Sequence, residues 1–165
     1  MQRLFRFTIL IYAVSLFALS GKPNGQDTKP AAPPNFTGTW NVNIEKSNFG
    51  PSATPQSMVY KIDHREPSLK LTSTRVDQGA EDTVSLSLTT DGKESSNIVR
   101  GDAVKSKVKW DGSALLIDSV TKVEGNNFAL KDKWTLSGDG KTLTWVRRFV
   151  SPDGDAEANY VLEKQ

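Results

Sequence analysis

Cysteine is absent from the 165-residue chain. No disulfide can staple the fold, although exported chains have access to them, so a packed core must hold it alone. The same absence leaves no thiolate for zinc or for nucleophilic attack, and no cysteine for lipid attachment. Histidine occurs once, as His64, among Asp63, Arg65 and Glu66. Such polar clusters favour turns, so His64 reads as a solvated turn residue. No His/Asp/Glu set has metal-ligand spacing, and no GxSxG, phosphate-loop or dinucleotide fingerprint occurs. Carboxylate pairs on distant strands would leave no local trace, but few acids fall on the apolar parity. The chain is therefore read as a non-enzyme with no cofactor and no metal.

Excess charge of either sign is also missing. Lys and Arg total 21 and Asp and Glu 19. The first twenty residues look removable. Arg3 and Arg6 precede an apolar run, Phe7 to Leu19, which ends in Ala18-Leu19-Ser20-Gly21. That is the layout of a secretory signal peptide, and the run is shorter than the roughly 20 residues of a membrane span. Cleavage would remove both arginines and leave 19 bases against 19 acids. Nucleic acid is not an expected partner, because phosphate neutralisation calls for a basic stripe. Lys105, Lys107 and Lys109 alternate with Val104, Ser106 and Val108, and read as the wet face of one strand. The expected location is secreted or periplasmic, with no stable membrane anchor after cleavage.

Residues 21–35, GKPNGQDTKPAAPPN, carry no apolar period and read as a flexible linker. Asn35-Phe36-Thr37 also fits a glycosylation sequon. The domain is expected over 36–165. Beyond the leader no 3.6-residue stripe appears; apolar residues alternate instead, broken by Asp-Gly and related turns. Ten strands follow: 38–45, 57–63, 69–76, 83–89, 94–99, 103–110, 114–120, 128–136, 142–150 and 156–163. Tight links make sequence neighbours antiparallel neighbours. A long meander exposes two raw edges unless it closes. The expected fold is therefore all-β, an up-and-down antiparallel β-barrel.

Turn positions predict which residues face one another. With Asp139-Gly140 at a tip, Leu136 opposes Leu143, Trp134 opposes Trp145, Asp132 opposes Arg147 and Leu130 opposes Phe149. The same reasoning at Asp111-Gly112 pairs Val108 with Leu115, and at Gly101-Asp102 pairs Val99 with Val104. At Asp153-Gly154 it pairs Arg147 with Tyr160, and across His64 to Pro67 it pairs Tyr60 with Leu71. All these hairpins agree on one apolar face.

That face also carries Ser73, Ser95, Asn97, Ser106 and Ser119. They either pair within a solid barrel or hold buried water, or they line a partly wet cavity. Interior volume grows with strand number, so ten strands favour the cavity. Arg147 points inward between Asp132 and Tyr160. An inward charge must be paired, and two roles fit. One is a structural Arg–Asp pair completed by the tyrosine hydroxyl; the other is an anchor offering spare donors to a ligand. Arg75 is a second, rim-placed arginine.

The domain opens FTGTWNVNIEKSNFGP. Phe36, Gly38 and Trp40 resemble the G-x-W opening of lipocalins and, more closely, the F-x-G-x-W opening of fatty-acid-binding proteins, both of the calycin superfamily. Tyr160 to Lys164 resembles the closing strand of the latter group. The DGK repeats and the KSNFGP stretch resemble bacterial secreted lipocalin-like proteins of uncharacterised role. The resemblance implies a barrel closed by its first and last strands, with Trp40 packed across one end and Arg147 or Arg148 covering it. Two departures stand out. Lys46 to Gln56, with Pro51 and Pro55, cannot form the two-helix lid of fatty-acid-binding proteins. Their Arg-x-Tyr carboxylate anchor would fall at Tyr160 and Leu162, without the arginine. The expectation is a binding module for a small, largely apolar ligand, anchored by Arg147, Tyr160 and Asp132 and walled by Trp134, Trp145 and Tyr60. The alternative is a non-catalytic envelope protein with a solid barrel, acting through loops such as Lys46–Pro55.

Overall fold

The computed structural model describes residues 32–123 and 126–165. The leader and the linker through residue 31 lie outside the described residues. Among the described residues the regular structure is entirely β. The strands are β1 (Gly38–Val42), β2 (Ser57–Arg65), β3 (Ser68–Asp77), β4 (Ala80–Thr89), β5 (Glu94–Val99), β6 (Asp102–Asp111), β7 (Ala114–Val123), β8 (Asn126–Leu136), β9 (Thr142–Ser151) and β10 (Gly154–Lys164).

They form one ten-stranded antiparallel sheet in the order β4-β3-β2-β1-β10-β9-β8-β7-β6-β5. The first and last strands pair, with Trp40 opposite Lys164 and Val42 opposite Leu162. The two ends of the sheet, β4 and β5, meet without a ladder. The Asn97 amide spans that seam as a substitute peptide group. It accepts from Ser87 N–H at 2.8 Å and donates to the Ser87 carbonyl at 3.1 Å. An Arg100–Asp82 ion pair crosses the same seam. The barrel is thus nearly closed, its last gap held by side chains.

The β8–β9 hairpin has the expected register: Leu136–Leu143, Trp134–Trp145, Asp132–Arg147 and Leu130–Phe149 are direct partners. Four other hairpins are displaced by two residues from expectation. Val108 meets Ile117, and Leu115 meets Trp110. Val99 meets Asp102. Arg147 meets Ala158, and Trp145 meets Tyr160. Tyr60 meets Ser73, and Ile62 meets Leu71. Turn chemistry explains the shifts. Arg100 and Gly101 both have positive φ, 52° and 94°, as a two-residue type I′ link requires. Gly112, at φ 59°, leads the link into β7, where a type II′ turn wants glycine. The other two links are Pro152-Asp153 and Glu66-Pro67. A two-residue slip keeps every side chain on its own face, so the inward set survives.

One end of the barrel is plugged. Phe36, wholly buried ahead of β1, stacks on Trp110 at 6.0 Å and meets Trp134 edge-on at 5.6 Å. Trp40 is wholly buried and donates its indole N–H to the Phe36 carbonyl at 2.9 Å. The cation over Trp40 is Lys164, with Nζ 5.2 Å from the ring centroid, rather than Arg147 or Arg148.

His64 is the clearest correction. It is no turn residue but the inward eighth position of β2, 2% exposed. Its Nδ1 accepts from Phe36 N–H at 3.4 Å, and its Nε2 lies 3.0 Å from Glu66 Oε1. Glu66 also accepts from Trp110 Nε1 at 3.0 Å and from the Thr90 hydroxyl. This polar knot ties the plug to β2, β6 and the β4–β5 connection.

Candidate functional site

Above the plug the interior is not full. A cavity of about 360 Å³ is lined by side chains from β2 through β10. That equals about a dozen water molecules at liquid density, and lies in the lower range of ligand pockets. Tyr60, Asp132, Trp134, Trp145, Arg147 and Tyr160 all line it. Their convergence follows from parity: each holds an inward position of its strand.

The floor is aromatic. Trp134 and Trp145, neighbours on β8 and β9, have centroids 4.8 Å apart. Trp145 contacts Tyr60 across the barrel at 5.0 Å and Tyr160 at 5.8 Å. Phe49 packs edge-on against Tyr160 at 5.4 Å. It is delivered by the segment after β1, where Asn48 bridges to Asn159. The segment expected to be unable to form a two-helix lid therefore contributes one buried ring, packed against β10.

Arg147 grips Asp132 in bidentate fashion, Nε to Oδ1 at 2.7 Å and Nη2 to Oδ2 at 2.8 Å. The aspartate side chain is 4% exposed and the arginine 22%, with its guanidinium 4.8 Å over the Trp145 ring. Burial opposes the Arg147 charge, but neighbouring Asp132 outweighs it and holds the guanidinium ionised above the usual arginine range. Burial pushes the Tyr60 phenol well above its ordinary value, and Tyr160 upward as well. Tyr160 does not complete the ion pair as expected. Its register position faces Trp145, and among the described residues the buried polar side-chain atoms without a partner are the indole nitrogens of Trp134 and Trp145. Tyr60 has only a weak 3.7 Å contact to the Met58 sulfur.

The inward serines divide between the two roles foreseen for them. Ser106 and Ser119 satisfy each other at 2.7 Å. Ser73 faces the cavity, which Ser119 also lines. The rim consists of Arg75, Asp82, Arg100 and Asp102. Arg75 is bound by Asp77 and by the Ala53 carbonyl at 2.6 Å. Sequence reasoning anticipated Arg75 but missed Asp82 and Arg100. They meet across the seam, where β4 and β5, joined through residues 90–93, approach without a backbone ladder.

No protein-family model matches the sequence, and no curated protein matches it. Solved structures do resemble the fold. A secretory abundant heat soluble protein from Ramazzottius varieornatus superposes with a TM-score of 0.54 at 14% identity, covering 78% of this chain and 94% of that one. Zebrafish ileal bile acid-binding protein, complexed with cholic acid, gives 0.51 at 16%, covering 79% and 98%. A Schistosoma mansoni fatty acid binding protein in complex with arachidonic acid gives 0.50 at 13%, covering 79% and 96%. The shared feature is the fold, here a nearly closed barrel of ten antiparallel strands.

Proposed function

We propose that the protein is a non-catalytic binding module that holds one small, largely apolar molecule inside the barrel. The observation that carries this reading is the cavity itself, walled by Trp134, Trp145 and Tyr60 and carrying Arg147 with unused donors. Few convergent polar groups in an apolar pocket are what ligand sites look like. Two of the similar barrels were solved with a bile acid or a fatty acid bound, which favours the same use here. We further propose that it works outside the cytoplasm, on the strength of the leader-like residues 1–20.

Native mass spectrometry of the purified protein tests for a co-purifying molecule. Titration with N-phenyl-1-naphthylamine, an uncharged fluorophore, tests the cavity directly. Saturable 1:1 binding is expected. Val84→Trp, which places an indole in the cavity wall, should abolish it while leaving the circular dichroism spectrum unchanged. Binding that survives Val84→Trp would move the site to the outer surface and end the reading.

A further inference from the structure

The lining of the cavity has a peculiar charge balance. Three guanidiniums reach it, and each is already matched by a carboxylate: Arg147 by Asp132, Arg75 by Asp77, and Arg100 by Asp82. Among the other charged residues that face the space, Asp102 is exposed and has no ion-pair partner among the described residues, so the lining holds no unmatched cation. Hydrogen-bond donors, by contrast, are in excess. Arg147 gives Asp132 two of its five N–H groups. The remaining three have no acceptor among the described residues, and neither have the buried indole N–H groups of Trp134 and Trp145, which also line the cavity.

We propose that the cavity selects an uncharged amphipath whose polar end is a hydrogen-bond acceptor, such as an amide, ester or alcohol, over a free carboxylate. The inference rests on the binding reading above. A carboxylate entering beside Arg147 would lose its hydration and find no unmatched cation to offset the loss. It would also sit next to Asp132, a like charge in a poorly screened interior. A neutral acceptor uses the same spare donors without that penalty. An ammonium is disfavoured beside Arg147, which repels it and whose spare N–H groups offer it no acceptor. Burial keeps the Tyr60 phenol protonated, so it adds no anion that would welcome a cation.

Displacement of bound N-phenyl-1-naphthylamine by a matched series decides the matter: decanamide, decan-1-ol, decanoate and decylammonium, at neutral pH and below their aggregation limits. The amide and the alcohol should displace the probe at concentrations at least ten-fold lower than decanoate. Decanoate equal to or better than the amide would overturn the selectivity while leaving the cavity's use intact. Failure of the probe itself to bind would overturn both. Asp132→Asn supplies a second arm, because it frees the Arg147 charge with little change in shape. In that variant decanoate should gain at least ten-fold relative to decanamide. An unchanged ratio in a folded Asp132→Asn protein would sink the charge account. If that variant does not fold, the wild-type series alone decides.

Discussion

Arg147 and Asp132 illustrate how a buried pair behaves at the scale of single residues. Breaking such a pair leaves an uncompensated charge and typically costs about 3–5 kcal/mol, whereas replacing both members by apolar groups is often neutral. Asp132→Ala is therefore expected to lower stability by about 3 kcal/mol, the lower end because the Arg147 side chain is 22% exposed. Asp132→Leu with Arg147→Met should recover most of that loss. Urea unfolding midpoints of the three proteins check the prediction, and a double variant no better than the single would refute it. Phe36 makes the complementary case. It lies outside every strand yet is wholly buried between Trp110 and Trp134. Phe36→Ala should cost about 3–5 kcal/mol, as large aromatic truncations in cores do. That is a large loss for a residue that lies ahead of the first strand, and thermal melting would read it directly.

At the scale of elements, the seam between β4 and β5 is the weakest part of the wall. Every other neighbouring pair shares a ladder of backbone bonds, while this one relies on the Asn97 amide and the Arg100–Asp82 pair. The ion pair is largely exposed and contributes little. Asn97→Ala should therefore cost only about 1 kcal/mol globally. It should nevertheless speed amide hydrogen exchange across β4 and β5 more than anywhere else, because local opening follows local bonding. Uniform acceleration over the barrel would argue against a distinct seam. The same scale explains the two-residue register errors. Apolar alternation distinguishes odd slips from even ones and nothing finer. The tie is broken by backbone dihedrals at the link, as at Arg100-Gly101, which lies one position from the tip that the turn residues suggest.

Acid should unfold the whole molecule from its plugged end. Burial works to raise the Glu66 pKa, but hydrogen bonds from Thr90, His64 and Trp110 prevail and lower it from 4.5. A carboxylate depressed in the folded state contributes stability that is complete above its unfolded pKa. That contribution is lost as pH falls through the lower folded value. The melting temperature is expected to fall below about pH 4.5, and Glu66→Gln should flatten that fall. Asp91, held down to about 2 by Lys93 and Thr89, lies on the exposed surface, where solvent screens its effect. Melts of wild type and Glu66→Gln between pH 3 and 7 separate the two. If the variant retains the full acid sensitivity, the knot around His64 is not its source.

Much of this barrel was legible in the chain alone. Strand number, the meander and the inward set from Tyr60 to Tyr160 follow from two-residue periodicity, which is a local property of the backbone. So do the facing of Trp134 and Trp145 and the pairing of Asp132 with Arg147, because a single hairpin generates both. Only the closed sheet decided the rest. It buried His64 and put Lys164 rather than an arginine over Trp40. It also left about 360 Å³ unfilled. Those outcomes depend on which strands meet after closure and on how side-chain volumes fill a lumen, and neither is encoded in the spacing of residues along one strand.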